Sequence, residues 1–170
     1  MGCDIHFYVE HFTTDKQKNG PIDIKEQRDR VIENVLEEKE ENKTKQWISV
    51  DEWEKEEWDE DDFHWGVIYE KLYYRGRNYN LFEKLANVRS YNDNPTSEPR
   101  GIPDDISFSF EYICKQWEGD AHSHSYFTLT ELLLQQNWSE VSPEFEETVN
   151  KMRDVDSNTD NVRCCFFFDN

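Results

Sequence analysis

Apolar residues concentrate at the two ends of the chain and in its middle, and two stretches between these regions are highly charged. Residues 3–12 alternate loosely between apolar and polar types and are rich in Ile, Phe, Tyr and Val, which predicts a strand. Residues 46–50 predict a second strand, which we expect to pair with the first. Residues 161–168 form a nearly continuous apolar run, typical of a strand buried on both faces.

Four segments carry apolar residues at helical spacing or follow helix-start signals: 79–88, 106–117, 129–136 and 143–152. Thr128, with Glu131 three residues later, forms a capping-box sequence that predicts the start of the third helix. Asp104 or Asp105 can cap the second helix, and the Ser142-Pro143 dipeptide marks the start of the fourth.

Two charged stretches interrupt this pattern. The few apolar positions of residues 24–45 fit one narrow helical stripe, which predicts a charged helical insertion over residues 13–45, between the first two strands. Residues 51–62 hold nine acidic residues and one lysine, and we expect an acidic loop there. The 170 residues suit a single domain, 1–170, of the α+β class: a small antiparallel sheet of three or four strands with helices packed on it.

The formal net charge of −19 narrows the choice of partners. Nucleic-acid polymers and anionic membrane surfaces attract basic proteins, so neither is an expected partner. A small anionic ligand is compatible with this charge wherever several arginines converge. An acidic surface that mimics nucleic acid is an alternative.

The cysteines and the hydropathy of the chain favour a cytoplasmic protein. The four cysteines show no paired spacing, so we expect them to be reduced. No apolar run approaches the roughly 20 residues of a membrane span, and we expect no signal peptide. The sequence leaves the oligomeric state open.

A histidine–carboxylate pattern occurs twice and holds most of the candidate chemistry. Asp4 and His6 lie two residues apart on the first predicted strand, so their side chains share one face. Asp120, His122 and His124 repeat that spacing on a second extended segment. Such a mixed set suits zinc or manganese, and we predict that these five residues bind one or two divalent metal ions. Histidines acting as acid–base groups without metal, or exposed polar alternation, are the alternatives.

Arginines near the helix predicted at 79–88 form a candidate anion site. Arg75, Arg77 and Asn78 precede this helix, and Arg100 lies in a Pro-Arg-Gly loop. Forked guanidinium groups suit phosphate oxygens, so we assign these residues to substrate binding. Glu98 would orient Arg100 or act as a base. The alternative, in so acidic a chain, is that each arginine pairs with a neighbouring carboxylate.

Several sequence blocks, in this order, resemble a family of small uncharacterised proteins from bacteriophages and giant viruses. The blocks are Met1-Gly2-Cys3-Asp4-Ile5-His6, then Arg77-Asn78-Tyr79 with Leu81-Phe82 and Val88-Arg89, Glu98-Pro99-Arg100-Gly101-Ile102-Pro103, residues 120–129 and residues 162–170. Residues 13–45 and 51–62 lie outside the resemblance, and Tyr126-Phe127 stands where the family pattern has Trp-Leu. The resemblance implies a viral accessory protein and assigns no activity.

These features predict a metal-dependent hydrolase of the phosphodiesterase type that acts on a small nucleotide-like substrate and counters host nucleotide signalling. His122, His124 and Glu98 would be the catalytic residues. Two alternatives stay open: a non-catalytic protein that sequesters a small anionic ligand, and an acidic nucleic-acid mimic that occupies a host protein.

Overall fold

The described part of the chain contains six strands and five α-helices. The computed structural model describes residues 2–22, 44–59, 62–90, 97–135 and 137–170. The strands are β1 (Ile5–Thr13), β2 (Gln46–Ser49), β3 (Trp53–Asp59), β4 (Asp62–Val67), β5 (His122–Thr128) and β6 (Val162–Phe168). The helices are α1 (Tyr79–Ala86), α2 (Phe108–Gln116), α3 (Leu129–Leu134), α4 (Trp138–Val141) and α5 (Pro143–Met152). Short 3₁₀ turns cover Tyr69–Lys71 and Thr159–Asn161.

Four strands form one antiparallel sheet in the order β2-β1-β6-β5. The last strand, β6, lies between β1 and β5, and all seven of its residues are buried. The α+β class with an antiparallel sheet is therefore confirmed. The predictions of strands at residues 3–12, 46–50 and 161–168 are confirmed as well, because the apolar content of each segment matches its place in the sheet.

Each face of this sheet supports a separate apolar cluster. Phe166 and Phe168 point to the face covered by α1, α3, α4 and α5, whereas Phe167 points to the face covered by α2 and the β3–β4 hairpin. The alternation follows from the two-residue period of a strand. None of the described helices is both long enough and apolar enough to cross a membrane.

Local capping signals fix most of the helix starts. Thr128 and Glu131 form the predicted capping box, and Ser142 accepts a hydrogen bond from the Phe145 amide at the start of α5. Ser107, and not Asp104 or Asp105, caps α2. Asp105 instead accepts a 2.7 Å hydrogen bond from Nη1 of Arg163. The prediction for the α2 cap was wrong because a distant arginine takes the carboxylate.

The acidic segment at residues 51–62 was expected to be a loop, but most of it is strand. β3 and β4 pair antiparallel, with Trp53 opposite Val67 and Glu56 opposite His64. Trp53 is 1% exposed, while the glutamates that alternate with the core-facing positions are exposed. One face of an antiparallel strand pair can be exposed and charged. A strand was therefore not recognised in so acidic a segment.

The predicted insertion at residues 13–45 does lie between β1 and β2. Its predicted helix falls largely on residues 23–43, outside the described residues. The start of the insertion belongs to the fold, because Nε2 of the buried Gln17 donates to Oγ of Ser109 at 2.8 Å. Gly20 adopts φ 105°, and a Cβ there would lie 2.6 Å from Cγ of Trp53.

Candidate functional site

A cleft of about 1130 Å³ opens on the sheet face that carries Phe167. It is bounded by the start of β1, the end of β4, the segment between Tyr69 and Arg77, and the C-terminal end of α2. Its ionisable lining residues include Asp4, His6, Arg75, Arg77, Asp120 and Asp169. Five of these six residues, all except Asp169, were predicted from the sequence as metal ligands or substrate-binding residues.

His6 is held in the cleft by two aromatic rings and a carboxylate. Its imidazole stacks on Phe167 with 4.7 Å between ring centres and 11° between planes, and it lies 4.2 Å from Trp117. Nε2 of His6 is 3.1 Å from Oδ2 of Asp169. The strand register brings this pair together: Ile5 lies opposite Phe168, so the residue after β6 arrives beside the start of β1.

Asp169 is itself fixed by the backbone of Asp4. The Asp4 amide donates to Oδ1 of Asp169 at 3.0 Å, and the Asp169 amide donates to the Asp4 carbonyl at 3.1 Å. One carboxylate oxygen therefore holds the backbone while the other holds His6. A histidine oriented by a carboxylate is the usual arrangement for a general base, because the second ring nitrogen is left to exchange protons.

Both carboxylate oxygens of Asp4 accept hydrogen bonds from Arg77, so neither oxygen is free to bind a metal ion. Nε and Nη2 of Arg77 donate to Oδ1 and Oδ2 of Asp4 at 2.7 and 2.6 Å. The hydrogen bonds from Arg77 lower the pKa of Asp4, and the same bonds raise the pKa of Arg77. Gly2 makes room for the guanidinium, since a Cβ at that position would lie 2.5 Å from it.

The two histidines of β5 face opposite sides of the sheet. The pairing with β6 shifts between His122 and Ser125, where Ser123 adopts φ 52°. This bulge places the His122 ring against Phe168 and the His124 ring against Phe167. The expectation that the two histidines share one face was therefore wrong, because a bulged residue adds one position to the strand.

His124 approaches the cleft from the far side of Phe167. Its ring centre is 5.3 Å from that ring, against 4.7 Å for His6, so the two imidazoles are at most about 10 Å apart. Burial, and next the nearby His122, lower the pKa of His124. The structure thus brings His6 and His124 to one face, but neither β5 histidine lines the cleft.

The predicted metal ligands do not converge in this arrangement. Throughout the described ranges, no three His, Cys, Asp or Glu side chains are grouped so that they could hold a metal ion. Asp4 is bound by Arg77, His6 by Asp169, and His122 lies on the other face of the sheet. Zinc or manganese binding stays a prediction, which metal analysis of the purified protein can test.

Three other predicted site residues make local structural contacts away from the cleft. Asn78 caps α1 through the Leu81 amide and donates to the Val141 carbonyl. Nη1 of Arg100 donates to both carboxylate oxygens of Glu131 at 2.9 and 3.0 Å. Glu98 does not orient Arg100.

Glu98 instead accepts a 3.1 Å hydrogen bond from Nδ2 of Asn87. His122 and Asn87 each retain one buried polar atom, Nε2 and Oδ1 respectively, that has no hydrogen-bond partner among the described residues. The Arg100 amide donates to Oγ of Ser125 in β5 at 3.2 Å, and none of Arg100, Glu98 and His122 lines the cleft.

Sequence reasoning missed Asp169, Trp117 and a second histidine–carboxylate pair at the cleft. Asp169 directly follows the predicted last strand. Had that strand been paired with the first one, Asp169 would have been expected beside Asp4 and His6. Nε2 of His64 lies 3.1 Å from Oε2 of Glu56, and His64 lines the cleft. That pair depends on the β3–β4 hairpin, which the charge run concealed.

Comparison with protein-family models, curated proteins and solved structures found no match to this chain. The resemblance to small viral proteins stays a prediction. The functional hypothesis therefore depends on the cleft and its side chains.

Proposed function

We propose that this protein hydrolyses a small nucleotide-like phosphoester in the cleft. The observation that carries the proposal is the pair of His6 and Asp169, a carboxylate-oriented imidazole in the wall of a cleft large enough for a nucleotide. Guanidinium groups and aromatic rings line the same cleft, and these are the two kinds of group that recognise phosphates and nucleobases.

His6 is the proton-transfer group of the proposed reaction. When Nε2–H donates to Asp169, Nδ1 carries the lone pair that accepts a proton from water. The water oxygen forms a bond to phosphorus, the ester P–O bond breaks, and the leaving oxygen receives the proton from the imidazolium. Asp169 stabilises that imidazolium and keeps the ring in one orientation.

Arg75 is the residue best suited to hold the phosphate. Its guanidinium lies 4.8 Å from the centre of the exposed Tyr69 ring, and no described carboxylate lies within 4.0 Å of it. Arg77 contributes less charge, because Asp4 already neutralises it. The rings of Tyr69 and Trp117 offer flat faces on which a nucleobase would stack.

The proposal includes the viral context that the resemblance implies. A cytoplasmic enzyme of this type would remove a nucleotide signal of the host cell. The charge of −19 keeps such a protein away from nucleic-acid polymers and leaves small nucleotides as its ligands. Metal ions, if bound, would supply a Lewis acid at the phosphate.

Sequestration without turnover is the second candidate, and the pairing within the cleft favours it. The two acidic groups at the start of β1 and the end of β6 are already engaged, Asp4 by Arg77 and Asp169 by His6. Because these side chains are already held in ion pairs, few of them need to change position when a ligand binds. Such a cleft need not carry out chemistry.

Incubation of the purified full chain with mononucleotides, linear dinucleotides and cyclic nucleotides, with and without a chelator, tests both candidates. Chromatography follows product formation, and calorimetry follows binding. Product formation supports the hydrolase, whereas an intact but tightly bound nucleotide supports sequestration. Neither product nor binding would contradict both and favour the acidic mimic.

A further inference from the structure

A short ridge of chain, residues 74–77, separates the cleft from a second cavity. The smaller cavity has a volume of about 430 Å³ and is completed by Asn80, Glu144 and the start of α1. The same four ridge residues line both spaces, so Arg75 and Arg77 each border the cleft on one side and the smaller cavity on the other.

The ridge is anchored from below by Tyr74. This residue is 4% exposed, and its ring makes edge contacts with Phe7 and Phe145 at 6.1 and 5.4 Å. Gly76 lies so close to Tyr74 that a Cβ would be 2.7 Å from its hydroxyl oxygen. The backbone between the two arginines is therefore held against the core, and it gives the guanidinium groups a fixed base.

The two arginines of the ridge differ in their partners. Asp4 binds Arg77 through two hydrogen bonds, whereas the charge of Arg75 is met only by the face of Tyr69 among the described residues. A phosphate on the ridge would gain most from Arg75, because among the described residues that guanidinium has no carboxylate to give up. The ridge is thus the most favourable place for negative charge between the two spaces.

Each space on either side of the ridge is large enough for one half of a two-armed ligand. Binding sites for small molecules usually measure about 300–1,000 Å³, and the smaller cavity lies within that range. Its polar lining includes the Glu144 carboxylate, which accepts N–H groups of the kind that nucleobases present. Oε2 of Glu144 accepts a 3.1 Å hydrogen bond from Oγ of Ser142, which orients it.

We infer that the ligand is a dinucleotide, with its bridging phosphate on the ridge, one nucleoside in the cleft beside His6 and the other in the smaller cavity. This inference rests on the proposed function and names its substrate class. Hydrolysis would break one P–O bond of the bridge, with the water oxygen bound to phosphorus and the proton delivered to the leaving hydroxyl. For a dinucleoside monophosphate, the products are one nucleoside and one nucleoside monophosphate.

Filling the smaller cavity tests the inference. Asn80→Trp places a large ring at the cavity from an exposed helix position, and Asn80→Ala is the matched control. We compare kcat/KM for a linear dinucleoside monophosphate with kcat/KM for a nitrophenyl ester of one nucleotide. Asn80→Trp should lower the first value by at least about tenfold, the effect of losing one subsite, and leave the second within about twofold. Equal losses on both substrates, or none on the dinucleotide, would overturn the inference.

Calorimetry with the same nucleotides keeps this inference distinct from the proposed hydrolysis. If the parent protein cleaves neither substrate, the proposed hydrolase activity is wrong. The dinucleoside monophosphate should still bind at least about tenfold more tightly than the nitrophenyl ester of one nucleotide. Asn80→Trp should abolish that difference and Asn80→Ala should preserve it. Equal affinity of the parent for the two nucleotides, or no affinity for either, would overturn the two-armed ligand.

Discussion

Nε of Arg163 donates a 2.6 Å hydrogen bond to Oε2 of Glu10, and both side chains are buried between the sheet and α2. The second Glu10 oxygen accepts from the amide of Ser107, the residue that caps α2. The ring of Trp47 lies 3.9 Å from the guanidinium and shields it from water. This ion pair therefore joins β1 and β6 to the start of a helix.

Removal of Arg163 should be far more damaging than removal of a surface cation. Arg163→Met leaves the fully buried Glu10 without its charge partner, and the expected loss is about 3–5 kcal/mol of unfolding free energy. Lys115→Met, which breaks an exposed 2.6 Å pair with Glu111, is the control and should cost less than about 1 kcal/mol. Chemical denaturation measures both. Similar losses in the two variants would show that burial of the Arg163 pair does not matter.

Asp51 is a buried carboxyl group whose hydrogen bonds are incomplete. Its Oδ2 accepts from the Val9 amide and from Oγ of Ser49, each at 3.0 Å, but Oδ1 has no partner among the described residues. Burial raises the pKa of Asp51 to about 7 from the ordinary value of 3.8. Between about pH 4 and pH 7 the folded protein therefore holds a proton at Asp51 that the unfolded chain has released.

Asp51→Asn should remove the contribution of Asp51 to the pH dependence of stability. Between about pH 4 and pH 7 the folded state binds more protons at Asp51 than the unfolded state does, so this group makes stability fall as pH rises. Asparagine cannot titrate. The stability of the variant relative to the parent should thus rise over this range, with a slope of at most about 1.4 kcal/mol per pH unit. A difference that does not change with pH would contradict the raised pKa.

Gly20 and Gly119 have nearly the same positive φ in different surroundings, which makes them a matched pair. Their φ values are 105° and 108°, but a Cβ at Gly20 would meet the Trp53 ring, and a Cβ at Gly119 would meet nothing within 4 Å. Gly119→Ala should cost roughly 1–2 kcal/mol of backbone strain. Gly20→Ala should cost about 1–3 kcal/mol more, from steric overlap in the core. Equal thermal destabilisation of the two variants would show that the Trp53 contact is unimportant.

Much of the fold could be predicted because its signals are local. The apolar run that became β6 and the capping box at Thr128 and Glu131 each lie within a few residues of sequence. The β3–β4 hairpin could not be recognised, because nine acidic residues conceal the alternation around Trp53. The Asp105 prediction failed for a related reason: its partner, Arg163, lies 58 residues away in the chain.

The candidate site was only half predictable from the sequence. Asp4 and His6 were selected for their spacing on a strand, and both do lie in the cleft. Their partners, Arg77 and Asp169, are 73 and 163 residues distant, so the pairs required the folded sheet. The bulge at Ser123 reverses the direction of His122, and the spacing of two histidines does not reveal a bulge.

β1 provides a natural control for the proposed catalytic histidine. His11 lies on the same strand as His6, and its Nε2 is 2.8 Å from Oδ2 of Asp156, much as His6 is paired with Asp169. The side chains of the two histidines are also similarly exposed, at 17% and 19%. His6 lines the cleft, but His11 does not. The two pairs thus share a carboxylate partner and a similar exposure, whereas His6 alone borders the cleft and packs on Phe167 and Trp117.

The most direct test of the proposed hydrolase is therefore kcat/KM of the parent, His6→Gln and His11→Gln on one hydrolysed nucleotide. Loss of a general acid–base group lowers the rate by about 10²–10⁴-fold, and we expect a loss of that size for His6→Gln alone. His11→Gln should retain the parental value within about twofold, with both variants folded by circular dichroism. Parental turnover in His6→Gln, or an equal loss in His11→Gln, would contradict the assignment of catalysis to the cleft.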